Sequence, residues 1–253
     1  MTRLAGHGAL RRLRARGAGL VLAWGILLMT TTSEGPAHAA PYAVDAARSE
    51  IAVKVLKGGV ASALAHDHLV RAARWQATLD VSPDPVALDA DVRVDATALE
   101  VDEPDARARH GLDGTLSESD RAQVRASMLG AEQLDVASHP EIRFSASQIA
   151  RDAARDGASF RLAGELSLHG RTRRIDVPLA ITRDGESFTA RGHVRVKQSD
   201  FGITPYSAFL GAVRVQDEVE IVFTLVAVPA TTPGAVAVPA TTPGAVAVPA
   251  AAR

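Results

Sequence analysis

The run Ala65-His66-Asp67-His68-Leu69 sets two imidazoles around one carboxylate, the densest group of metal-ligating and proton-transferring side chains in the sequence. Residues two apart on a strand share a face. His66 and His68 therefore have a spacing that zinc and copper sites use. Such a site needs a third ligand, for which His110, His139, His169 and His193 are the candidates, and no spacing selects one of them. Phase bears on the same question. If the strand that carries Trp75 runs back unbroken through this stretch, His66 and His68 fall opposite to Trp75 and Leu79 and face away from an apolar interior. A bulge or a turn would reverse that. Three readings stay open: hydrogen-bonded groups near the end of a β structure, metal ligands, or contacts to a ligand head group. The missing third ligand and the phase favour the first.

Other chemistries find less support. Ser62, Ser138 and Ser207 are available nucleophiles, but none lies in a G-x-S-x-G context. The sequence has no phosphate-binding glycine loop and no dinucleotide fingerprint. The acidic stretch Asp102-Glu103-Pro104-Asp105 lacks calcium-loop spacing and is expected to be a solvated loop. With no cysteine in 253 residues, disulfides, thiolate catalysis, cysteine-based zinc sites and lipoprotein anchoring are all excluded. The catalytic and metal assignments at this stage are none.

The elements that must position any site begin after a leader. Arg11, Arg12, Arg14 and Arg16 precede the apolar run Gly19–Met29, and Ala37-His38-Ala39 is a small-x-small cleavage pattern. Residues 1–40 therefore read as a secretory signal, and the apolar run is too short to span a bilayer, which takes about 20 residues. The expected location is periplasmic or secreted, with no stable membrane span. Removing residues 1–40 takes away five Arg and one Glu, so 28 basic and 29 acidic residues become 23 and 28, a net charge of −5. That balance gives no pull toward nucleic acid. At the other end, TTPGAVAVPA occurs at 231–240 and again at 241–250, so residues 229–253 read as a low-complexity Pro/Ala/Thr tail. One domain of ordinary size remains, residues 41–228.

Within it the dominant pattern has a period of two, the mark of half-buried strands. Eight such runs occur: 51–55, 75–81, 86–94, 142–146, 160–168, 175–181, 188–196 and 219–225. Gly58-Gly59, Pro83-Asp84-Pro85, Asp156-Gly157, His169-Gly170 and Asp184-Gly185 supply turns, the last between two alternating runs and so a strong hairpin signal. Ser117 with Asp120 forms a capping-box-like start, Val124 and Met128 share one helical face, and Gly130 suits a helix end. These predict one short helix over about 118–129, between the third and fourth strands. The expected fold is all-β, an eight-stranded antiparallel lipocalin-like barrel with one helical insertion. Barrels of this size are either filled by side chains or hold one small ligand. Ala77, Ala90, Ala146, Gly164, Ala190 and Gly192 fall in the apolar phase and favour unfilled volume.

Several segments in this order resemble the YceI-like family of exported, lipocalin-like proteins. They are Tyr42-Ala43-Val44-Asp45 with Ser49-Glu50-Ile51-Ala52-Val53, then Leu134-Asp135-Val136 with His139-Pro140-Glu141-Ile142-Arg143-Phe144, then Leu166-Ser167-Leu168-His169-Gly170-Arg171-Thr172. Ser199-Asp200-Phe201-Gly202-Ile203 and Asp217-Glu218-Val219-Glu220-Ile221 complete the set. The resemblance spans roughly 42–227. It implies a barrel whose apolar channel holds a long lipid, a polyisoprenoid or an isoprenoid quinone, with no enzyme activity and no cofactor beyond that bound lipid. The ligand contacts expected from the strands are Val53, Trp75, Leu79, Val92, Phe144, Leu162, Phe188 and Phe223. Phe201, Tyr206 and Phe209 are added from the aromatic-dense segment 199–211, expected either to cover the barrel mouth or to complete the core. The alternative function is a metal-binding protein, redox- or stress-related, that uses His66 and His68.

Overall fold

Alternating apolar residues deliver the expected strands, but three of them are broken. The computed structural model describes residues 40–81, 88–152 and 159–230. The leader, the repeated tail and the turns at 83–85 and 156–157 lie outside them. In chain order the strands are Ala40–Val44 (β1), Glu50–Val55 (β2), Lys57–Gly58 (β3), His68–Ala72 (β4), Trp75–Val81 (β5), Leu88–Asp95 (β6) and Leu99–Val101 (β7). There follow Glu141–Arg151 (β8), Ser159–Leu168 (β9), Arg171–Asp184 (β10), Ser187–Lys197 (β11), Ser207–Ala208 (β12), Val213–Val215 (β13) and Glu218–Pro229 (β14). The helices are Pro104–Arg109 (α1) and Glu118–Leu129 (α2).

The sheet closes. β1 pairs with both β5 and β14, and between them the ladder runs β5-β6-β8-β9-β10-β11-β14, all antiparallel. β2 and β4 extend the same circuit, β2 pairing with β14 and β4 with β2 and β7. Three of the eight walls are thus composite: β1 with β2, β4 with β5, and β6 with β7. The fold is a closed eight-stranded antiparallel barrel, with α2 the one long helix among the described residues. Ser117 Oγ caps α2 by accepting the Asp120 N–H at 3.1 Å.

Counting along matched ladders shows what the breaks do. β14 runs continuously from Pro229 to Ile221, eight residues. Their partners Tyr42 and Val53, on β1 and β2, are 11 apart, an excess of three. On the next wall, Leu79 and Val70 are nine apart, an excess of one. On the third, Ala90 and Val101 are again 11 apart. Each excess is odd, and an odd insertion moves every later side chain to the other face. Even-numbered Tyr42 and Val44 therefore share the interior with odd-numbered Ile51 and Val53. The switch falls at 73–74 on the second wall and at the helical turn 96–98 on the third.

Side chains carry the ladders across these gaps. Asp45 caps the short turn after β1 by accepting the Ala47 and Arg48 N–H groups. Ser49 Oγ accepts the Val226 N–H at 2.9 Å. Arg125 of α2 donates to the carbonyls of Leu99 (2.7 Å) and Thr97 (2.6 Å), beside the strand edge that β7 leaves unpaired.

The small residues have three fates: Ala77 and Ala146 pack in the core and line neither cavity, which corrects their reading as unfilled volume. Ala90 and Ala190 open onto internal space. Gly164 and Gly192 do not: a Cβ on Gly164 would lie 2.5 Å from Phe144 Cζ and 2.7 Å from the Ser145 carbonyl, and one on Gly192 would lie 2.7 Å from Phe223 Cζ. At those two positions an aromatic ring occupies the place of the missing side chain, which corrects their reading as unfilled volume. Gly164→Ala is accordingly expected to destabilise the barrel by about 1–3 kcal/mol, measured as a lower urea midpoint at unchanged slope.

Candidate functional site

The histidine run folds around a buried ion network. Because the wall is broken at 73–74, His68, Val70 and Ala72 face inward, so the outward phase expected for the imidazoles is reversed. His68 Nδ1 lies 2.6 Å from Asp102 Oδ2. Asp102 Oδ1 accepts the Leu69 N–H at 2.8 Å and Arg107 Nη1 at 2.6 Å. Arg107 also donates to the carbonyls of Asp67, Asp113 and Gly114. Asp102 is 1% exposed and Arg107 3%.

The acidic stretch at 102–105 is thus no solvated loop. Asp102, at φ +54, is buried, and Pro104 opens α1 with its missing N–H at a position that needs none. Burial alone would push the Asp102 carboxyl up. The bonds from His68, the Leu69 N–H and Arg107 outweigh it and hold the group below the usual carboxylate range. Asp67 points elsewhere, accepting the Lys57 N–H at 2.8 Å and so fixing β3. His110 lies 3.3 Å from Glu50 and His193 faces outward. None of the four candidate histidines completes a three-ligand group with His66 and His68 among the described residues, so the metal reading of this pair is unsupported.

The barrel interior holds two cavities of about 570 Å³ each, both of the size that binds small ligands. The inner one is walled by aliphatic and aromatic side chains such as Leu79, Val92, Phe144, Leu162 and Phe223. At its far end Tyr42 and Phe188 stack edge to face at 5.2 Å, with the Arg183 guanidinium 5.4 Å from the Phe188 ring. The outer one is mixed: His66, His68, Thr115, Asp120, Gln123, Gln133, Gln198, Tyr206 and Arg214 stand among Val55, Val124, Met128 and Ile203. Val53, Val70, Leu99, Ile142, Leu166 and Ile221 wall both cavities and form an apolar waist between them.

The family model described as YceI-like domain matches residues 42–227. The chain belongs to the YceI-like family. Among solved structures it is similar to BcnA of Burkholderia cenocepacia, at 20% identity and a TM-score of 0.55, covering 72% of this chain and 98% of that one. It is also similar to the Campylobacter jejuni YceI protein, at 14% identity and a TM-score of 0.39, covering 58% and 80%. No curated protein matches. The YceI-like segments quoted from the sequence both build the fold and line the cavities, each contributing to a cavity wall through residues such as Tyr42, Leu134, Leu168, Ile203 and Val219. Asp217 accepts the Ser199 N–H and hydroxyl at 2.8 and 2.6 Å. Gly202, at φ +79, packs against the Arg171 guanidinium.

Of the residues expected to touch a ligand, Val53, Leu79, Val92, Phe144, Leu162, Phe188, Phe223 and Tyr206 line the cavities. Three do not. Trp75 is 4% exposed and packs with Val44, Ala72 and Val94 beside the strand break. Phe201, 1% exposed, completes a core with Leu166, Val196 and Ile203. Phe209 is 81% exposed and held at φ +50 in the turn between β12 and β13. The segment 199–211 thus both plugs the core, through Phe201 and Ile203, and edges the outer cavity, through Tyr206. Sequence reasoning missed Val70, Leu99 and Leu116, and did not recognise Val124 and Met128 as cavity wall. The apolar pair at i and i+4 on an otherwise polar helix was the signal for the last two.

Asp102→Ala leaves Arg107 buried without its carboxylate, and the expected cost is about 3–5 kcal/mol. The wild type carries a matching pH signature. A carboxylate whose folded pKa lies below its unfolded value near 3.9 contributes fully above that value, and loses its contribution as pH falls through the folded one. Urea unfolding from pH 6 down to pH 2 is expected to show that acid-side loss in the wild type and a flatter profile in Asp102→Ala.

Proposed function

We propose that this YceI-like protein is an exported carrier or reservoir for one long lipid of the isoprenoid class, held with its tail in the inner cavity and its polar head in the outer one. The observation that supports this most directly is the pairing of a nearly all-apolar cavity with a mixed one across an apolar waist. A ligand of uniform character fits one cavity and not both. A long apolar chain ending in a polar group fits the sequence of walls in order.

Burying each CH₂ contributes about 0.8 kcal/mol, so some ten methylenes give roughly 8 kcal/mol before the cost of ordering the chain. The inner cavity, with no polar side chain except Tyr42 and Arg183 at its end, leaves selection to length and shape. In the outer cavity His66, Gln133, Gln198, Tyr206 and Arg214 offer hydrogen-bond donors to a quinone carbonyl or a phosphate. His68 is less available, since Asp102 already holds its Nδ1. Export to the periplasm or beyond is part of this proposal and rests on the leader-like residues 1–40. The reading needs no reacting group, and none is assigned.

Native mass spectrometry and organic extraction of the protein purified from its own host are expected to yield one isoprenoid lipid per chain. Extracts without lipid, together with failure to bind isoprenoid quinones or polyprenyl phosphates in vitro, would sink the reading. Ile221→Trp, which adds bulk at the waist, is expected to weaken a long-chain quinone at least tenfold while sparing a short-chain analogue, read by fluorescence titration.

A further inference from the structure

We propose that Asp135, His139 and His169 form a binding site for one zinc-class divalent transition metal, distinct from the lipid cavities and independent of the carrier reading. One donor atom from each residue lies within 4.8 Å of the other two. Three points no farther apart than that have a common centre within about 2.8 Å of each, 4.8 divided by √3. Zinc takes imidazole nitrogen and carboxylate oxygen at about 2.0–2.2 Å, so side-chain rotations worth under an ångström close the site. Two imidazoles and one carboxylate select a borderline transition metal over calcium or magnesium, which take oxygen ligands. Three protein ligands leave a position for water or another donor.

The surroundings are prepared for ligation. His169 Nδ1 lies 3.2 Å from the Phe201 carbonyl oxygen. When Nδ1 donates there, Nε2 carries the lone pair, and this is the outer hydrogen bond that metal-bound histidines usually make. The His139 ring packs on the backbone of Gly170, where a Cβ would sit 2.6 Å from its Cε1. The two rings meet edge to face at 5.1 Å. Neither the Asp135 carboxylate nor the His139 ring has a hydrogen-bond or ion-pair partner among the described residues, so both are available. The ligands come from two separate places, the loop between α2 and β8 and the β9–β10 hairpin. Bound metal would clip them together. Asp135 and His169 each follow a leucine, Leu134 and Leu168, that lines the outer cavity.

The test uses the untagged full mature chain, stripped with a chelator and titrated with zinc chloride by calorimetry and thermal unfolding. One zinc per chain and a rise of several degrees in the thermal midpoint are expected, with no response to calcium or magnesium. His139→Phe, which keeps a ring against Gly170, and His169→Ala are each expected to weaken zinc at least 100-fold. A His193→Ala variant, at an outward-facing histidine outside both cavities, should bind as the wild type does. Should either single variant fail to fold by circular dichroism, Asp135→Asn is the substitute, with at least tenfold weakening expected. No zinc uptake by the wild type, or uptake that survives these substitutions, overturns the proposal. Lipid content, measured on the same samples, reports on the carrier reading separately.

Discussion

A closed antiparallel ladder keeps both members of every cross-strand pair on one face. A strand that gains an odd number of residues against an unbroken neighbour must therefore loop the extra residues out of the ladder and resume pairing in the opposite sequence phase. This barrel meets the constraint on three adjacent walls at one level: three extra residues between β1 and β2, one between β4 and β5, three between β6 and β7, all counted against the unbroken β14. On the far side, β9 to β11 continue without a break, and β8 takes its single bulge nearer the other end, between Ala146 and Gln148. The outcome is an interior apolar throughout the waist although the sequence changes phase there. Each break has its own hydrogen-bond repair: Asp45 and Ser49 on the first wall, the Ala73 N–H to the Ala98 carbonyl and the Asp95 N–H to the Arg74 carbonyl at the second, and Arg125 beside the third.

The same breaks explain where polar chemistry is tolerated. Past the level of the breaks, β7 has no strand on its outer side, and α2 covers that side of the barrel. A helix brings polar side chains with it, and so the outer cavity gains Gln123 and Ser127 beside Val124 and Met128. The segment that carries His66 and His68 meets this end and needs an anchor. Arg107 supplies it by tying the Asp67 carbonyl, the Asp102 carboxylate and the 113–114 backbone to one guanidinium. A planar fork with five donors suits a hub with four acceptors. Buried pairs of this kind cost desolvation and gain specificity only in some systems. Here the network sets the position of a loop that edges the cavity, a task an apolar contact would perform with less directional control.

Much of the barrel was legible because period-two alternation survives in most long strands, β8 with its bulge after Ala146 excepted. Phe160/Leu162/Gly164/Leu166 and Val219/Ile221/Phe223/Leu225 read correctly without context. The helix was legible because its cap, its one apolar face and its terminal glycine agree. What failed was phase across a gap. His68 and Trp75 are seven apart, and the inference that they face opposite ways holds only if nothing intervenes. Ala73-Arg74 carries neither glycine nor proline to mark the break, and its one extra residue shows only in the pairing with neighbouring strands, which local pattern does not contain. Asp102 was misread for a related reason. A carboxylate in an acidic run looks solvated until its partners, 34 residues back and five ahead, are brought to it by the fold. Gly164 and Gly192 show the limit of reading volume from composition, since whether a small residue leaves space depends on the ring across the ladder.

The arrangement of the two cavities also bears on direction. If a lipid is held as proposed and enters through the outer cavity, its tail crosses the waist before it meets Tyr42, Phe188 and Arg183 at the opposite end. Each methylene that crosses the waist moves from a mixed wall to an apolar one and gains burial. The polar head gains nothing by following, since the waist offers Val53, Val70, Leu99, Ile142, Leu166 and Ile221 and no hydrogen-bonding side chain. For the proposed ligand, the polarity step at the waist would favour a head placed among Gln133, Gln198 and Tyr206 over one placed in the inner cavity. The apolar side chains Val60, Phe209 and Leu210 are almost fully exposed on the segments that edge this same end. In the proposed carrier, release would reverse the same gradient, one methylene at a time.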